Sequence, residues 1–390
     1  MTTYIVRRFA QSLAFGALAS LLIFTVLVYV MPNGPYQTYK SVLPFQHNPD
    51  SRRFLKQITV AYPVDKPWPL SFLAWLYDPN DTTTIDPLTE QEVPKGVDIV
   101  IGGLHIRGDG ALLGELGNSF YVFRGQPVRE LIGSRWGNTV SLLGLAFFLS
   151  LVVAIPVGLI GAVSHNSKLD HSLTFFSFLG MSVPPFALGL ILIIFLAVIP
   201  FQLRLSNGWE WLPYFPPGAV SSLGQEESLI NRLYHLALPA ITLALGQIAW
   251  MSRHVRFSML DVLRRDYVRT ARAKGVRGWR VISKHAFRNA LIPLITIIGL
   301  SVPALATGAI VVEKLFGYPG LGYLLFFSLG GCTPTPGSET PCPPNSAFPD
   351  TPLALTLTLI LIFVVTFVNM LADIFYAVAD PRINYNTGQG

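Results

Sequence analysis

Charge is scarce in this chain. Only 13% of its 390 residues are Asp, Glu, Lys or Arg, whereas 51% are apolar, and the mean hydropathy is +0.48. An ordinary soluble domain carries about 25% charged residues, so that class is excluded. Cysteine is nearly missing as well: Cys332 and Cys342 are the pair, with no histidine beside them, and a tetrahedral zinc site wants four ligands. No GxxxxGK[ST] occurs, which removes a Walker-type nucleotide site. Gly108, Gly110, Gly114 and Gly117 miss both that spacing and the dinucleotide spacing, and read as turn formers. The net charge of +6 comes from Lys and Arg gathered at the ends of apolar runs. That placement follows the positive-inside pattern and excludes a nucleic-acid stripe.

What the chain does have is long apolar runs. A bilayer core needs about 20 apolar residues per helix. Six stretches without Asp, Glu, Lys or Arg reach or approach that size, at 9–30, 139–163, 172–200, 236–252, 290–312 and 353–372. The first follows Arg7 and Arg8 as a secretory signal would, but it exceeds the ~7–15 residues of a signal core and lacks a small-x-small cleavage site, so it reads as a retained span. Threading six crossings from an inside N-terminus returns 164–171, 253–289 and the tail after Asp373 to the cytoplasm. The middle segment carries Arg253, Arg256, Arg264, Arg265, Arg269, Arg272, Lys274, Arg277, Arg280, Lys284 and Arg288 against Asp261 and Asp266, which sets the orientation.

The expected fold is therefore an all-α polytopic membrane protein. It has six transmembrane helices, N and C termini in the cytoplasm, and an enlarged extracytoplasmic insertion after the first helix. The divisions are an N-terminal helix at 1–31, the insertion at 32–135, a five-helix core at 136–380 carrying the loop 253–289, and a tail at 381–390. The insertion up to about residue 99 has no lasting period and is expected to be irregular or mixed. Pro156, Pro184, Pro185, Pro239, Pro293 and Pro303 fall inside spans, where neighbouring helices can satisfy the freed carbonyls. Trp209, Trp211 and Tyr214 suit an interface belt. After the fifth span, EKLFGYPGLGYLL supplies Glu313, Phe316, Gly317, Pro319, Gly320 and Gly322 for a sharp extracytoplasmic turn, and the apolar LGYLLFF beyond it can dip back toward the membrane. Cys332 and Cys342 lie in a Pro/Gly-rich outer loop, where a disulfide is the expected state.

The most informative stretch is 266–293, DYVRTARAKGVRGWRVISKHAFRNALIP. Leu260, Leu263, Tyr267 and Ala271 recur at helical spacing, with Arg265, Arg269 and Arg272 on another face, which predicts a short amphipathic helix. Lys274 suits its C-terminal dipole, Gly275 is placed to stop it in the left-handed conformation, and a second helix resumes near Trp279. Topology and contact with anionic lipid account for the charge. They do not account for the small residues Ala271, Ala273 and Gly275, which let another backbone come close and point to a docked partner.

This stretch resembles the EAA loop in permease subunits of binding-protein-dependent ABC importers, in the form found in the dipeptide, oligopeptide and nickel group. Ala271 and Gly275 fall on the motif's Ala and Gly, and RTARAKG followed by HAFRNALIP is similar to that group's variant. Arg272 and Ala273, His285 and the displaced Pro293 depart from the general motif in the way the peptide group does. GELGNSF, PVRELI, EKLFGYPGLG and YAVADPRINY resemble the B-type subunit, so the likeness covers the first span and about residue 108 to the C-terminus, not 32–99.

The resemblance implies a transport subunit of a prokaryotic inner membrane, not an enzyme. It would form half of a translocation pathway for peptides. Its implied partners are a second homologous permease, two ABC ATPase subunits, an extracytoplasmic solute-binding protein and membrane lipid. ATP and Mg would sit on the ATPases, with no cofactor, metal or catalytic residue here. Tyr267, Thr270, Ala271, Arg272, Ala273, Gly275, Arg288 and Asn289 would face the ATPase. The same machinery serves nickel complexes and oligosaccharides in close relatives. An ion-coupled transporter or a membrane enzyme finds less support. The apolar spans hold no ionisable residue, and His165, His171, His235, His254 and His285 stand at span edges or outside without ligand spacing.

Overall fold

The computed structural model describes residues 2–31, 34–77, 83–85, 92–94, 97–101, 104–108, 111, 116–119, 126–222, 228–330 and 350–379. Cys332, Cys342, Gly110, Gly114 and the tail at 381–390 lie outside those residues. The elements are α1 (Thr2–Phe24, prolonged by a wide π-turn Thr25–Val30), α2 (Pro35–Val42), α3 (Pro49–Ala61), α4 (Leu70–Leu76), β1 (Thr83–Ile85), β2 (Glu92–Pro94), β3 (Val97–Ile101) and β4 (Leu104–Gly108). They continue with α5 (Val128–Val163), α6 (Lys168–Ser182), α7 (Pro185–Ile193), α8 (Ile199–Asn207) and α9 (Leu229–Leu263). The last are α10 (Asp266–Ala273), α11 (Gly278–Arg280), α12 (Arg288–Leu315), α13 (Leu321–Ser328) and α14 (Thr351–Ala379).

Among the described residues six helical stretches are long and apolar enough to cross a membrane. One lies within Val6–Phe45, and the others are Val128–Val163, Pro185–Asn207, Leu229–Leu263, Pro293–Leu315 and Thr351–Ile374. The long elements are helical, as expected of an all-α membrane chain, and the irregular or mixed insertion contains two short hairpins, β1 antiparallel with β2 and β3 with β4. The VDIVI of β3 is rich in β-branched residues, which suits a strand.

The helices overrun their apolar stretches. Charged side chains do not end a helix whose backbone bonds continue, so α5 begins at Val128 and α9 reaches from Leu229 to Leu263, taking in Arg253 and Arg256. The third run divides in two. Pro184 and Pro185 cannot continue the backbone ladder, so α6 stops at Ser182 and α7 starts at Pro185. Pro156, Pro239, Pro293 and Pro303 stay inside continuous helices.

Clustering divides the chain into two compact units. The first comprises Met1–Leu13, Gly137–Tyr323 and Val364–Gly390; the second comprises Ala14–Trp136 and Leu324–Phe363. In the first, α6 and α7 run antiparallel to α9: Ser177 Oγ meets Ser252 Oγ at 3.2 Å, and Gly189 lies against Thr242. One cluster there, with Leu142, Leu238, Leu305 and Phe316, sits at one end of the bundle. Another, with Ala154, Met251, Met259, Val281 and Leu294, sits at the other. The second unit has its own core, where Phe24, Val28, Ile58, Tyr62 and Phe72 pack with Ala354 and Leu355.

Small residues set the closest helix approach. A Cβ on Gly158 of α5 would stand 2.5 Å from the Ser252 carbonyl oxygen and 2.6 Å from Val255 Cβ, so the two backbones touch where no side chain intervenes. Gly158→Val should cost about 1–3 kcal/mol by overpacking. Its thermal melting in detergent should fall well below that of Gly144→Val, a position where a Cβ meets nothing within 4 Å.

Candidate functional site

The basic loop folds as a helix, a glycine corner and a second helix. α9 ends at Leu263, a turn at Arg264 and Arg265 follows, and α10 starts at Asp266. Gly275 has φ +74°, and the bonds Gly275 N–H to Arg272 O (2.9 Å) and Val276 N–H to Ala271 O (3.3 Å) complete a Schellman motif. Val276 packs against the cluster that holds Ala271, the apolar contact that accompanies this cap. The second helix resumes at Gly278 and passes through a wide π-turn, Val281–Phe287, before α12. Sequence periodicity gives no sign of that turn.

The turn at 264–265 resets the helical phase, so Leu260 and Leu263 belong to α9 and do not continue the face of α10. The inward side of α10 is Val268 and Ala271, while Tyr267 is 44% exposed. Ala271 is therefore misplaced among the partner-facing residues. It is buried with Val262, Val281, Ala286 and Ala290, and fastens α10 to the ends of α9 and α12. Thr270, Arg272, Ala273, Gly275, Arg288 and Asn289 are exposed with Tyr267. Asn289 Nδ2 donates to the Tyr267 hydroxyl at 3.1 Å and to His285 O at 2.9 Å, tying the two helices together. The pairs Arg265–Asp261 (2.8 Å) and Arg269–Asp266 (3.8 Å) are solvent-exposed and add little stability.

At the same end of the bundle, sequence reasoning missed an ion pair. Asp170, 1% exposed, receives Arg256 Nε at 2.6 Å and Arg256 Nη2 at 2.7 Å, a bidentate clamp between α6 and α9. The Asn166 N–H donates to the same carboxylate at 3.0 Å, and Ser167 caps α6 through the Asp170 N–H. The Arg256 guanidinium holds the Asp170 carboxyl well below the usual range, at about 2, against a smaller opposing effect of burial. The pair is eighty-six residues apart in sequence, so no local pattern announces it.

At the opposite end, the turn after α12 is built on a buried carboxylate. Gly317 has φ +57°, and the bonds Gly317 N–H to Lys314 O and Tyr318 N–H to Glu313 O form a second Schellman cap. Glu313 is fully buried. Its Oε1 accepts from Thr139 Oγ1 at 2.7 Å and its Oε2 from the Tyr323 N–H at 2.8 Å, while Thr139 Oγ1 also receives the Leu321 N–H at 2.7 Å. A carboxylate thus occupies the N-terminus of α13, where free N–H groups and the helix dipole favour negative charge. A Cβ on Gly320 would fall on that carboxylate, which explains the glycine. Asn138 Nδ2 holds Pro319 O at 2.9 Å. The preceding loop joins the same region through His235, whose ring nitrogens meet Gly218 O at 2.8 Å and Ser222 Oγ at 3.1 Å. Among the described residues no group of three or more His, Cys, Asp and Glu side chains converges as for a metal.

Six apolar helices, a basic helix–glycine–helix at one end and a carboxylate-capped turn at the other describe a multi-pass membrane component. Residues 154–385 match the family described as binding-protein-dependent transport system inner membrane component. The oligopeptide transport system permease protein AppB of Bacillus subtilis (strain 168) is 42% identical over 273 residues, which are 70% of this chain and 77% of that one. A putative peptide permease protein of Brucella suis is 33% identical over 372 residues, 94% of this chain and 95% of that one. The probable D,D-dipeptide transport system permease protein DdpB of Escherichia coli (strain K12) is 34% identical over 288 residues, 71% and 78%. The chain belongs to this family, as an ABC importer permease of the peptide group.

Asp170→Asn should lower stability by about 1.5–3 kcal/mol, because Arg256 loses its charged acceptor. With the folded pKa depressed, the pair's contribution is fully present above the unfolded value of about 3.9 and is lost as pH falls through about 2. The melting gap to wild type should therefore stay constant from about pH 8 to 5 and close only in strong acid. Gly320→Ala should destabilise the wild type and be nearly neutral in a Glu313→Ala background, with a coupling of about 1–2 kcal/mol in the double-mutant cycle.

Proposed function

We propose that this permease imports peptides across a prokaryotic inner membrane and takes its drive from ATPase subunits docked on α10 and the glycine corner. The observation that carries the reading is the exposed ridge Tyr267, Thr270, Arg272, Ala273 and Gly275. It is presented by a helix whose other side, Val268 and Ala271, is packed into the ends of α5, α9 and α12. A push on that ridge reaches three long helices through one rigid core, which suits rigid-body movement between inward-open and outward-open states. The ATPases hold ATP and Mg, and this chain supplies the lever.

The orientation follows the Lys and Arg bias, with α10 and both termini cytoplasmic. Two contacts support that reading: Arg8 near the start of α1 lies 3.4 Å from Asp373 near the end of α14, and Gly299 of α12 abuts Ala372. A second homologous permease would complete the pathway, and a solute-binding protein would deliver cargo on the side of Glu313. Peptide as cargo rests on what the relatives' names say they carry.

A cysteine at Ala273 should cross-link to a cysteine in the co-purified ATPase during turnover, whereas one at the buried Ala271 should react slowly or perturb the fold. Absence of any Ala273 cross-link across a panel of ATPase positions would remove the reading. Gly275→Ala forces a left-handed alanine at about 1–2 kcal/mol. It should reduce substrate-stimulated ATP hydrolysis in the assembled importer while leaving binding-protein affinity unchanged.

A further inference from the structure

The insertion lies outside residues 154–385 that the family model matches, and it holds an apolar surface that the permease core does not explain. Helix α4 docks on the end of the first apolar run through one face. Phe72 meets Phe24 edge to face at 5.4 Å, and the buried Ser71 receives the Tyr29 hydroxyl at 2.7 Å. The opposite face exposes Trp68, Leu70, Leu73 and Tyr77, of which the first three are more than half exposed. Trp68, Leu70 and Leu73 thus form a stripe of large apolar side chains left exposed among the described residues.

Its depth is set by bonds to α1 and its π-turn. Trp68 Nε1 donates to Thr25 Oγ1 at 3.0 Å, and that hydroxyl donates on to Leu21 O at 2.7 Å. Thr25 stands five residues inside Val30, roughly one helical turn below the end of the apolar run. Leu18, Leu22, Val26 and Val30 are exposed along the same run. The α4 stripe therefore lies level with side chains that face hydrocarbon if the run crosses a membrane.

The local chemistry suits that medium. Pro67 and Pro69 have no N–H to satisfy. The Ser71, Phe72 and Leu73 N–H groups bond to Pro67 O or Pro69 O, and the Trp68 indole N–H has its acceptor in Thr25. These bonds reduce the number of open donors at the helix start, which a medium without water favours.

We propose that α4 is a membrane-immersed interfacial helix. Trp68, Leu70 and Leu73 would sit in the leaflet at the outer end of the first span, with lipid as the occupant of the exposed stripe. Such placement gains roughly 25 cal/mol for each Å² of apolar surface removed from water and anchors the insertion on the bilayer. The inference rests on the reading that residues 9–30 cross the membrane, and its test separates the two.

In the assembled importer with Cys332→Ser and Cys342→Ser, reconstituted into lipid nanodiscs, nitroxide labels on Leu73→Cys, Leu70→Cys and a first-span control, Leu22→Cys, are measured by electron paramagnetic resonance. Collisions with oxygen, which concentrates in lipid, are compared with collisions with a water-soluble nickel chelate. The expected result is high oxygen accessibility with loss of nickel accessibility at all three sites. Nickel access at residues 70 and 73 with a lipid-like control overturns the proposal. Exclusion of both reagents there also overturns it, in favour of a protein partner covering the stripe. A nickel-accessible Leu22 label would instead overturn the reading of the first span.

Discussion

A chain that crosses hydrocarbon must satisfy its backbone N–H and C=O groups from within, because each one left open costs several kcal/mol. Most of what is distinctive here is a way of meeting that demand where a helix cannot simply continue. Pro184 and Pro185 part α6 from α7, and both segments pack along α9. Glu313 and Thr139 close the start of α13. Thr25 takes the indole of Trp68. In each case a polar atom on an apolar element is spent on another backbone or side chain of the same chain.

The same economy divides rigid from exposed surface in the first unit. At one end the Asp170–Arg256 clamp, the Gly158 contact and the cluster around Met259 and Ala271 bind α5, α6, α9, α10 and α12 into a continuous body. The ridge of α10 stands on that body with its charges outward. At the other end Glu313 ties the start of the long α5 to the end of α12. On the proposed mechanism the ridge is the lever and Glu313 the brace of alternating access, in which movement has to be carried without melting the helices that carry it.

Sequence reasoning reached far where the signal is local. Six crossings, the basic loop, the αL glycine at Gly275 and the sharp turn from Glu313 to Gly322 can all be read from hydropathy, charge placement and the position of glycine and proline. It fell short at Ala271, which shares a helix with the exposed residues around it and differs only in the side it turns. Two residues of turn at 264–265 decide that side, and no spacing rule counts across an unforeseen turn. The π-turn at Val281–Phe287 escaped for a related reason, because a wide turn alters phase without altering composition. The hairpins of the insertion were covered only as an irregular or mixed region, though VDIVI is rich in β-branched residues.

The amino-acid sequence by itself determined the medium, the number of crossings and the chemical character of each end, since these follow from how many apolar residues stand in a row and where Lys and Arg interrupt them. Tertiary structure alone decided which polar residues became partners. Asp170 with Arg256, Glu313 with Thr139, and Trp68 with Thr25 are separated by eighty-six, one hundred and seventy-four and forty-three residues. Such pairs form because packing brings two helices to the same depth, and depth is a property of the folded chain that one-dimensional order does not contain.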